Sequence, residues 1–388
     1  MKILFVHNAY QQRGGEDSVV ADEIRLLQDR GHEVAVYGRS NDDIRGMGRL
    51  ALATQTVWST QTAREFEALI RGFRPDVVHA HNTFALISPS LYWVAGRFNV
   101  PVVQTLHNFR LLCPQAMFLR DGRVCEDCLG KVPWRGAVRG CYRGSVAQST
   151  ALAGMVILHR GLGTWQNKVT RYIALNEFCR SKFIAGGLPA DRIVVKPNFV
   201  DFDAPSAGVR AGFLFVGRLS AEKGIDVLVQ ATRNLGNVQV RVAGTGPEAA
   251  LLAGVPGLQE LGALGGDAVR TEMSKAKALI LPSIWYETFG MVAVEAFAAG
   301  TPVIASRIGV LPNLVKDGVT GLLFESGNAE DLATKMRWAQ EHPEEMTVMG
   351  HNARRLYEAE FTAERNYHQL IAIYQSAIDE VKAKQAPN

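Results

Sequence analysis

Short apolar, β-branched runs recur along the chain in two separate series, with segments of helical spacing between them. The first series occupies residues 3–6, 34–37, 77–79 and 102–104; the second occupies 213–216, 238–243, 278–281, 303–305 and 322–324. Runs that are apolar at successive positions need cover on both faces, the condition of a parallel sheet with helices above and below. Strand and helix alternating in each series therefore predict an α/β protein with two doubly wound, Rossmann-like parallel sheets. In the first helix Val20, Ile24 and Leu27 share an inward face, Glu16 and Asp17 suit the first turn, and Gly31 ends it.

A chain of 388 residues exceeds one ordinary core. The join is expected near Lys196-Pro197-Asn198, giving a first domain at 1–198 with an insertion at 108–145, a second at 199–365, and a final segment at 366–388. Near that end Tyr367, Leu370, Ile371, Tyr374 and Ile378 fall at helical spacing, so a terminal helix is expected to pack back on the first domain. Two such sheets facing each other would hold a ligand along the carboxyl ends of their strands.

At 47% hydrophobic and 21% charged residues, the composition is that of a folded soluble protein. No apolar run approaches the eighteen or so residues of a spanning helix, and the run at 3–6 is too short for a secretion signal. A cytoplasmic location is expected. The net charge of +4 is modest, and nothing resembles an aromatic-interleaved nucleic-acid surface. Arg135, Arg139, Arg143 and Arg160 surround the apolar run 146–158. Two readings stand there: a basic, apolar surface touching anionic lipid at the inner face of the membrane, or an ordinary buried helix with solvated flanks.

The strand at 278–281 leads through Pro282 and a loop into a helix expected to start at Gly290 or Met291, with Glu287 before that start and Glu295 one turn inside it. A helix start carries free N–H groups and partial positive charge, where a phosphate can sit. Arg218 and Lys223 belong to another strand-loop-helix unit, so a sugar diphosphate gripped from two sides is the reading of the whole set. Taken singly, either glutamate is equally a surface charge.

Gly14-Gly15 after the first strand, His107 after Thr105-Leu106, Gly217-Arg218-Leu219 with Lys223-Gly224, Gly244-Thr245-Gly246-Pro247, and Glu287 through Glu295 ending in Ala299-Gly300-Thr301-Pro302 succeed one another over most of the chain. In that order they resemble the retaining GT-B glycosyltransferases of the family 4-like group, with its bacterial mannosyl- and glucosyltransferases. The resemblance implies that Arg218 and Lys223 clamp the diphosphate of a nucleotide diphosphate sugar, where fixed cations favour the leaving group in the transition state. It implies that Gly290 and Met291 offer backbone N–H groups to the phosphates, and that Thr288 and Phe289 border the donor. Glu295 would accept from ribose hydroxyls, and Glu287 would hold the sugar near its anomeric carbon. Gly14 and Gly15 would approach the distal phosphate, while Gly244, Gly246 and Leu261 would lie near the nucleotide. His107 would orient a hydroxyl or share a proton beside the sugar; on the residues alone it is as readily a core or capping histidine. Gly244-x-Gly-Pro lacks the third glycine of a dinucleotide fingerprint.

Asp201-Phe202-Asp203 comes after the interdomain proline rather than a buried strand, so no catalytic metal is expected. Cys113, Cys125, Cys128 and Cys141 form C-x11-C-x2-C-x12-C, with Cys179 left over. That spacing fits a tetrahedral structural zinc or four reduced thiols in an insertion. The reading that joins these features is a hexosyltransferase acting on a glycan or lipid-linked acceptor in surface polysaccharide biosynthesis. A nucleotide-sugar 2-epimerase and a non-catalytic nucleotide-sugar-binding scaffold remain its rivals.

Overall fold

The computed structural model describes residues 1–388 except 12–13, 202–207, 209, 237 and 386–388. Two compact domains divide it. The first takes Met1–Phe118, Glu126–Pro197 and Glu364–Asn388; the second takes Leu119–Cys125 and Asn198–Ala363.

The first domain is built on a parallel sheet of β1 (Lys2–Ala9), β2 (Glu33–Ser40), β3 (Val77–Ala80), β4 (Val102–Leu106), β5 (Arg171–Ala174) and β6 (Ile193–Val195), ordered β2-β1-β3-β4-β5-β6. The second holds β7 (Phe213–Val216), β8 (Val240–Ala243), β9 (Leu258–Gly262), β10 (Ala278–Leu281), β11 (Val303–Ser306) and β12 (Gly321–Phe324), ordered β9-β8-β7-β10-β11-β12. Strands β3, β4, β10 and β11 are buried at every position, as consecutive apolar runs demand. Three strands lack that signal. In β9 the pattern is largely exposed, with Gln259 and Glu260 in an edge strand. The edge strand β6 has three residues, and β5 begins on Arg171.

The first domain holds the helices α1 (Gly15–Asp29), α2 (Val146–Gly161) and, from Glu364 on, α4 (Ala363–Gln385), and the second holds α3 (Met291–Ala298). Leu370, Tyr374, Ala377 and Ile378 of α4 join Ile3, Phe5, Val20 and Leu27 in the core of the first domain. Burying a large apolar side chain of this kind contributes about 2 kcal/mol, which is why an amphipathic terminal helix stays docked.

In the second sheet the strand order reverses between β7 and β10, which pair directly. The loops leaving these two strands therefore diverge around a crevice at their carboxyl ends. Two glycines let the backbone come that close. Gly224 has φ +70, and a Cβ there would fall 1.9 Å from the Pro282 carbonyl oxygen; one on Gly244 would fall 1.8 Å from that of Gly217.

Candidate active site

The loop after β7 carries Arg218 and Lys223, and the loop after β10 carries Glu287. Lys223 Nζ donates to Glu287 Oε1 at 2.6 Å. Ser283 Oγ and Trp285 Nε1 donate to the same oxygen at 2.8 and 3.0 Å. Glu287 is only 8% exposed, which removes the surface-charge reading of this residue. Its Oε1 is saturated by three donors, while Oε2 makes no hydrogen bond to a described residue.

Arg218 Nη2 donates to Glu222 Oε1 at 2.6 Å, and Ser220 Oγ donates to the same atom at 2.7 Å. Burial works to raise the Glu222 pKa, but the hydrogen bonds from Arg218 and Ser220 outweigh it and hold the carboxyl below its ordinary value. The Arg218 side chain itself is 59% exposed. It is tethered at one end and open to a ligand at the other.

Gly290 caps α3 in the left-handed conformation, φ +86, so the helix starts at Met291 as its sequence predicts. Glu295 lies one turn in and is half-buried, as is Thr288. Phe289 is buried and packs edge-on against Phe361 at 5.9 Å, so its ring serves the core. Leu261 stands half-buried near the end of β9, while Gly244 and Gly246 come after β8; a Cβ on Gly246 would fall 2.2 Å from the Leu219 carbonyl oxygen. Asp201 is exposed; Phe202 and Asp203 lie outside the described residues.

In the first domain Gly14 caps α1, and its N–H donates to Asp17 Oδ2 at 2.8 Å. Asp17 Oδ1 also meets His7 Nε2 at 2.8 Å. The turn that carries Gly14 and Gly15 is thus pinned from inside, with the Gly14 amide already engaged. His107 comes directly after β4 and lines a pocket with Glu16, His81, Asn82, Asn108 and Arg110. Its Nε2 pairs with His81 Nδ1 at 2.8 Å. Burial, followed by the neighbouring His81, pushes the His107 pKa well below the ordinary value, so the ring is neutral. Burial likewise pushes the Glu16 carboxyl up to about 7, and Tyr10 Oη donates to it at 2.9 Å.

Behind His107 lies a cluster that strand spacing could have exposed and that the motifs did not: Glu23, His79, His81, Lys196 and Tyr374. His79 lies in β3 and His81 one residue past its end, where its N–H still bonds Val6, so the two share one face, and Glu23 lies on the inward side of α1. Lys196, expected at the join between the domains, is fully buried.

All five cysteines are reduced. Cys113 and Cys128 are buried, and Cys125 and Cys141 half-buried. Two of them, Cys128 and Cys141, meet Gly136 of the helix Trp134–Val138. A Cβ there would fall 3.6 Å from Cys128 Sγ and 2.9 Å from Pro114, next to Cys113. The Gly136 carbonyl accepts the Cys141 N–H.

Comparison with known proteins agrees with this geometry. Residues 13–204 match the family described as Glycosyltransferase Family 4, and residues 202–356 the one described as Glycosyl transferases group 1. A D-inositol 3-phosphate glycosyltransferase of Mycobacterium tuberculosis (strain F11) is 30% identical over 359 residues, covering 87% of this chain and 69% of that protein. Its counterpart in Mycobacterium leprae (strain TN) is 29% identical over 329 residues, covering 79% and 71%. Among solved structures, sucrose-phosphate synthase from Thermosynechococcus elongatus aligns with a TM-score of 0.72 at 18% identity, over 98% of this chain and 99% of that one. HepE from Anabaena in complex with UDP aligns with a TM-score of 0.69 at 18% identity, over 97% and 100%. The two parallel sheets have the GT-B architecture of those structures, the fold of a class of glycosyltransferases. Within that class the chain belongs to the group 1, family 4-like glycosyltransferases, and it is a hexosyltransferase.

Proposed function

We propose that the protein moves a hexosyl group, with retention at the anomeric carbon, from a nucleoside diphosphate sugar to a hydroxyl of a glycan or lipid-linked acceptor in surface polysaccharide assembly. The observation that carries this reading is the meeting of Lys223 and Glu287 from the loops after β7 and β10, with the exposed Arg218 on the first of those loops. Arg218, Lys223 and the N-terminus of α3 would face the diphosphate, the Glu287 Oε2 atom the sugar hydroxyls, and Glu295 the ribose. Anabaena HepE, of the same fold, is described in complexes with UDP and with UDP-glucose, which favours a donor of this chemical class. No catalytic metal enters this reading, since fixed cations balance the leaving diphosphate. Thermal-shift screening of UDP-, GDP- and ADP-sugars, followed by mass spectrometry of transfer to a lipid-linked saccharide, tests it. One donor class should raise Tm and yield a lengthened saccharide. A changed sugar without any acceptor would instead indicate an epimerase, and binding without turnover a scaffold.

The acceptor setting has its own support. From Cys128 to Asn176 the sequence contains no Asp or Glu, while Lys131, Arg135, Arg143 and Lys168 are among its cations. Val132, Trp134, Val138 and Val146 are each more than half exposed, although the opposite side of α2 is buried through Leu152, Ala153, Met155 and Val156. The segment therefore combines both readings of its sequence: one face in the core, one apolar and basic face outward. Arg135 stacks on Trp134 and Arg143 on Tyr142. Such a surface suits anionic lipid at the inner face of a membrane, each nearby cation adding about 1 kcal/mol. No described helix is long and apolar enough to cross a membrane. In flotation assays the protein should rise with phosphatidylglycerol vesicles and not with phosphatidylcholine. Trp134→Glu with Val138→Glu should abolish flotation; undiminished flotation of that variant would remove this surface.

Cys113, Cys125, Cys128 and Cys141 are proposed to hold a structural zinc, a role that the C-x2-C spacing flanked by two further thiols suits. Elemental analysis of protein purified without chelator should give about one zinc per chain, lost on Cys128→Ser. Metal-free protein that is fully folded would exclude it.

A further inference from the structure

Glu23, His79 and His81 are fully or almost fully buried, with ligand-type atoms within 4.8 Å of one another. That proximity invites a metal, but the cluster is satisfied by a cation of the chain itself. Lys196 Nζ donates to Glu23 Oε1 at 2.8 Å, with both side chains shielded from water. His79 has both ring nitrogens engaged: Nδ1 meets Tyr374 Oη at 2.7 Å and Nε2 meets Thr105 Oγ1 at 2.8 Å.

One oxygen and one nitrogen remain. Glu23 Oε2 and His81 Nε2 are buried without a hydrogen-bond partner, and they face each other at 3.5 Å. A carboxylate oxygen only accepts, so a ring lone pair aimed at it is repelled and a ring N–H is attracted. The other candidate proton near that oxygen is spoken for. Burial, then the Glu23 charge, raises the Tyr374 pKa well above its usual value, so its hydroxyl keeps its proton, and that hydroxyl is engaged with His79 Nδ1 at 2.7 Å. The His81 proton therefore belongs on Nε2, facing Glu23. A neutral imidazole carries one N–H, so His81 Nδ1 is an acceptor. Its partner at 2.8 Å, His107 Nε2, must supply the proton for that bond. His107 is then left with a lone pair on Nδ1, an atom that makes no hydrogen bond to a described residue in a ring that lines the pocket.

We infer that Glu23 and His81 are positioning residues: the buried Lys196–Glu23 pair sets the tautomer of His81, and His81 sets that of His107, so that His107 presents Nδ1 as a hydrogen-bond acceptor to the acceptor hydroxyl. This rests on the proposed sugar transfer, with His107 beside the reacting sugar. Lacking a positive charge, the ring orients the hydroxyl rather than binding a phosphate. The wrong tautomer would offer an N–H to the hydroxyl and turn its oxygen lone pair, not its proton, toward His107.

Two-bond proton–nitrogen spectra of full-length protein labelled with nitrogen-15 in its histidine rings read the tautomer directly. His107 is assigned from the spectrum of His107→Gln. The expected result is a proton on His107 Nε2 and none on Nδ1. In the double variant Glu23→Gln, Lys196→Met, which leaves neither charge buried alone, the Nδ1-protonated form of His107 should appear. There kcat should fall by about a hundredfold, the scale of a misplaced acid–base group, with the donor KM within about twofold of its original value. A proton on His107 Nδ1 in the unaltered protein overturns the inference, and that measurement needs no variant to fold. An unchanged tautomer in the double variant also overturns it. A switched tautomer with unchanged kcat upholds the hydrogen-bond chain and instead removes His107 from the reaction.

Discussion

Lys223→Ala is expected to lower kcat for sugar transfer by about 10²- to 10³-fold, the cost of deleting one fixed donor aimed at developing charge. Two losses combine in this substitution. The diphosphate loses a cation, and Glu287 loses the strongest of the three donors on Oε1, although Ser283 and Trp285 remain. Because Glu287 is nearly buried, a carboxylate stripped of its ammonium partner also costs about 2 kcal/mol of stability. Lys223→Ala with Glu287→Gln separates the two effects. The double variant should regain the lost stability and stay as slow as the single one. Arg218→Ala should give a similar loss of turnover and a lower Tm as well, because the nearly buried Glu222 loses the guanidinium it pairs with and keeps only Ser220. Steady-state rates with saturating donor, alongside thermal melts, are the measurement. Turnover near the unaltered rate in either single variant would take that residue out of the mechanism.

Acid should weaken the first domain steeply below neutrality. His79, His81 and His107 all have pKa values held well below the ordinary 6.5, by burial first and then by neighbouring histidines and Lys196. In the native state they stay neutral as pH falls; in the unfolded chain each takes up a proton near pH 6.5. The unfolded state thus binds more protons, and stability must drop as pH falls below that value. Each histidine contributes about 1.4 kcal/mol per pH unit, so the three together reach about 4 kcal/mol per unit, of which the raised Glu16 carboxyl, protonated first in the folded state, offsets about 1.4. Urea midpoints measured from pH 8 to pH 5 should be flat above about pH 7 and decline sharply below about pH 6.5. His79→Gln combined with His81→Gln should remove most of that slope. A midpoint that holds constant from pH 7 to pH 5 would mean the cluster is not neutral in the folded protein.

Much of the architecture was legible because its signals are local. Buried parallel strands are apolar at successive positions, and β7 and β10 begin and end where that pattern does. The start of α3 was legible for a similar reason, since Gly290 is the residue that tolerates φ +86 before an apolar helical run. Strands β6 and β9 escaped because edge position relaxes the apolar requirement, and the interior β5 because it opens on Arg171 and so presents only three successive apolar residues. The candidate site divides in the same way. Motif order singled out Arg218, Lys223, Glu287 and His107, whereas Glu23, His81 and Lys196 belong to no motif.

The sequence by itself determined two strand-and-helix series, the parallel sheets that their short apolar strands require, and the residue types gathered at the strand ends. Periodicity and glycine conformations act over a few neighbours, so they can be read from neighbours. Which charges pair was decided only by tertiary structure. Lys223 meets Glu287 from 64 residues away, and Lys196 meets Glu23 from 173 away. Those partners are set by strand order and by the burial that makes an unpaired charge costly, and neither is a property of any local stretch of chain.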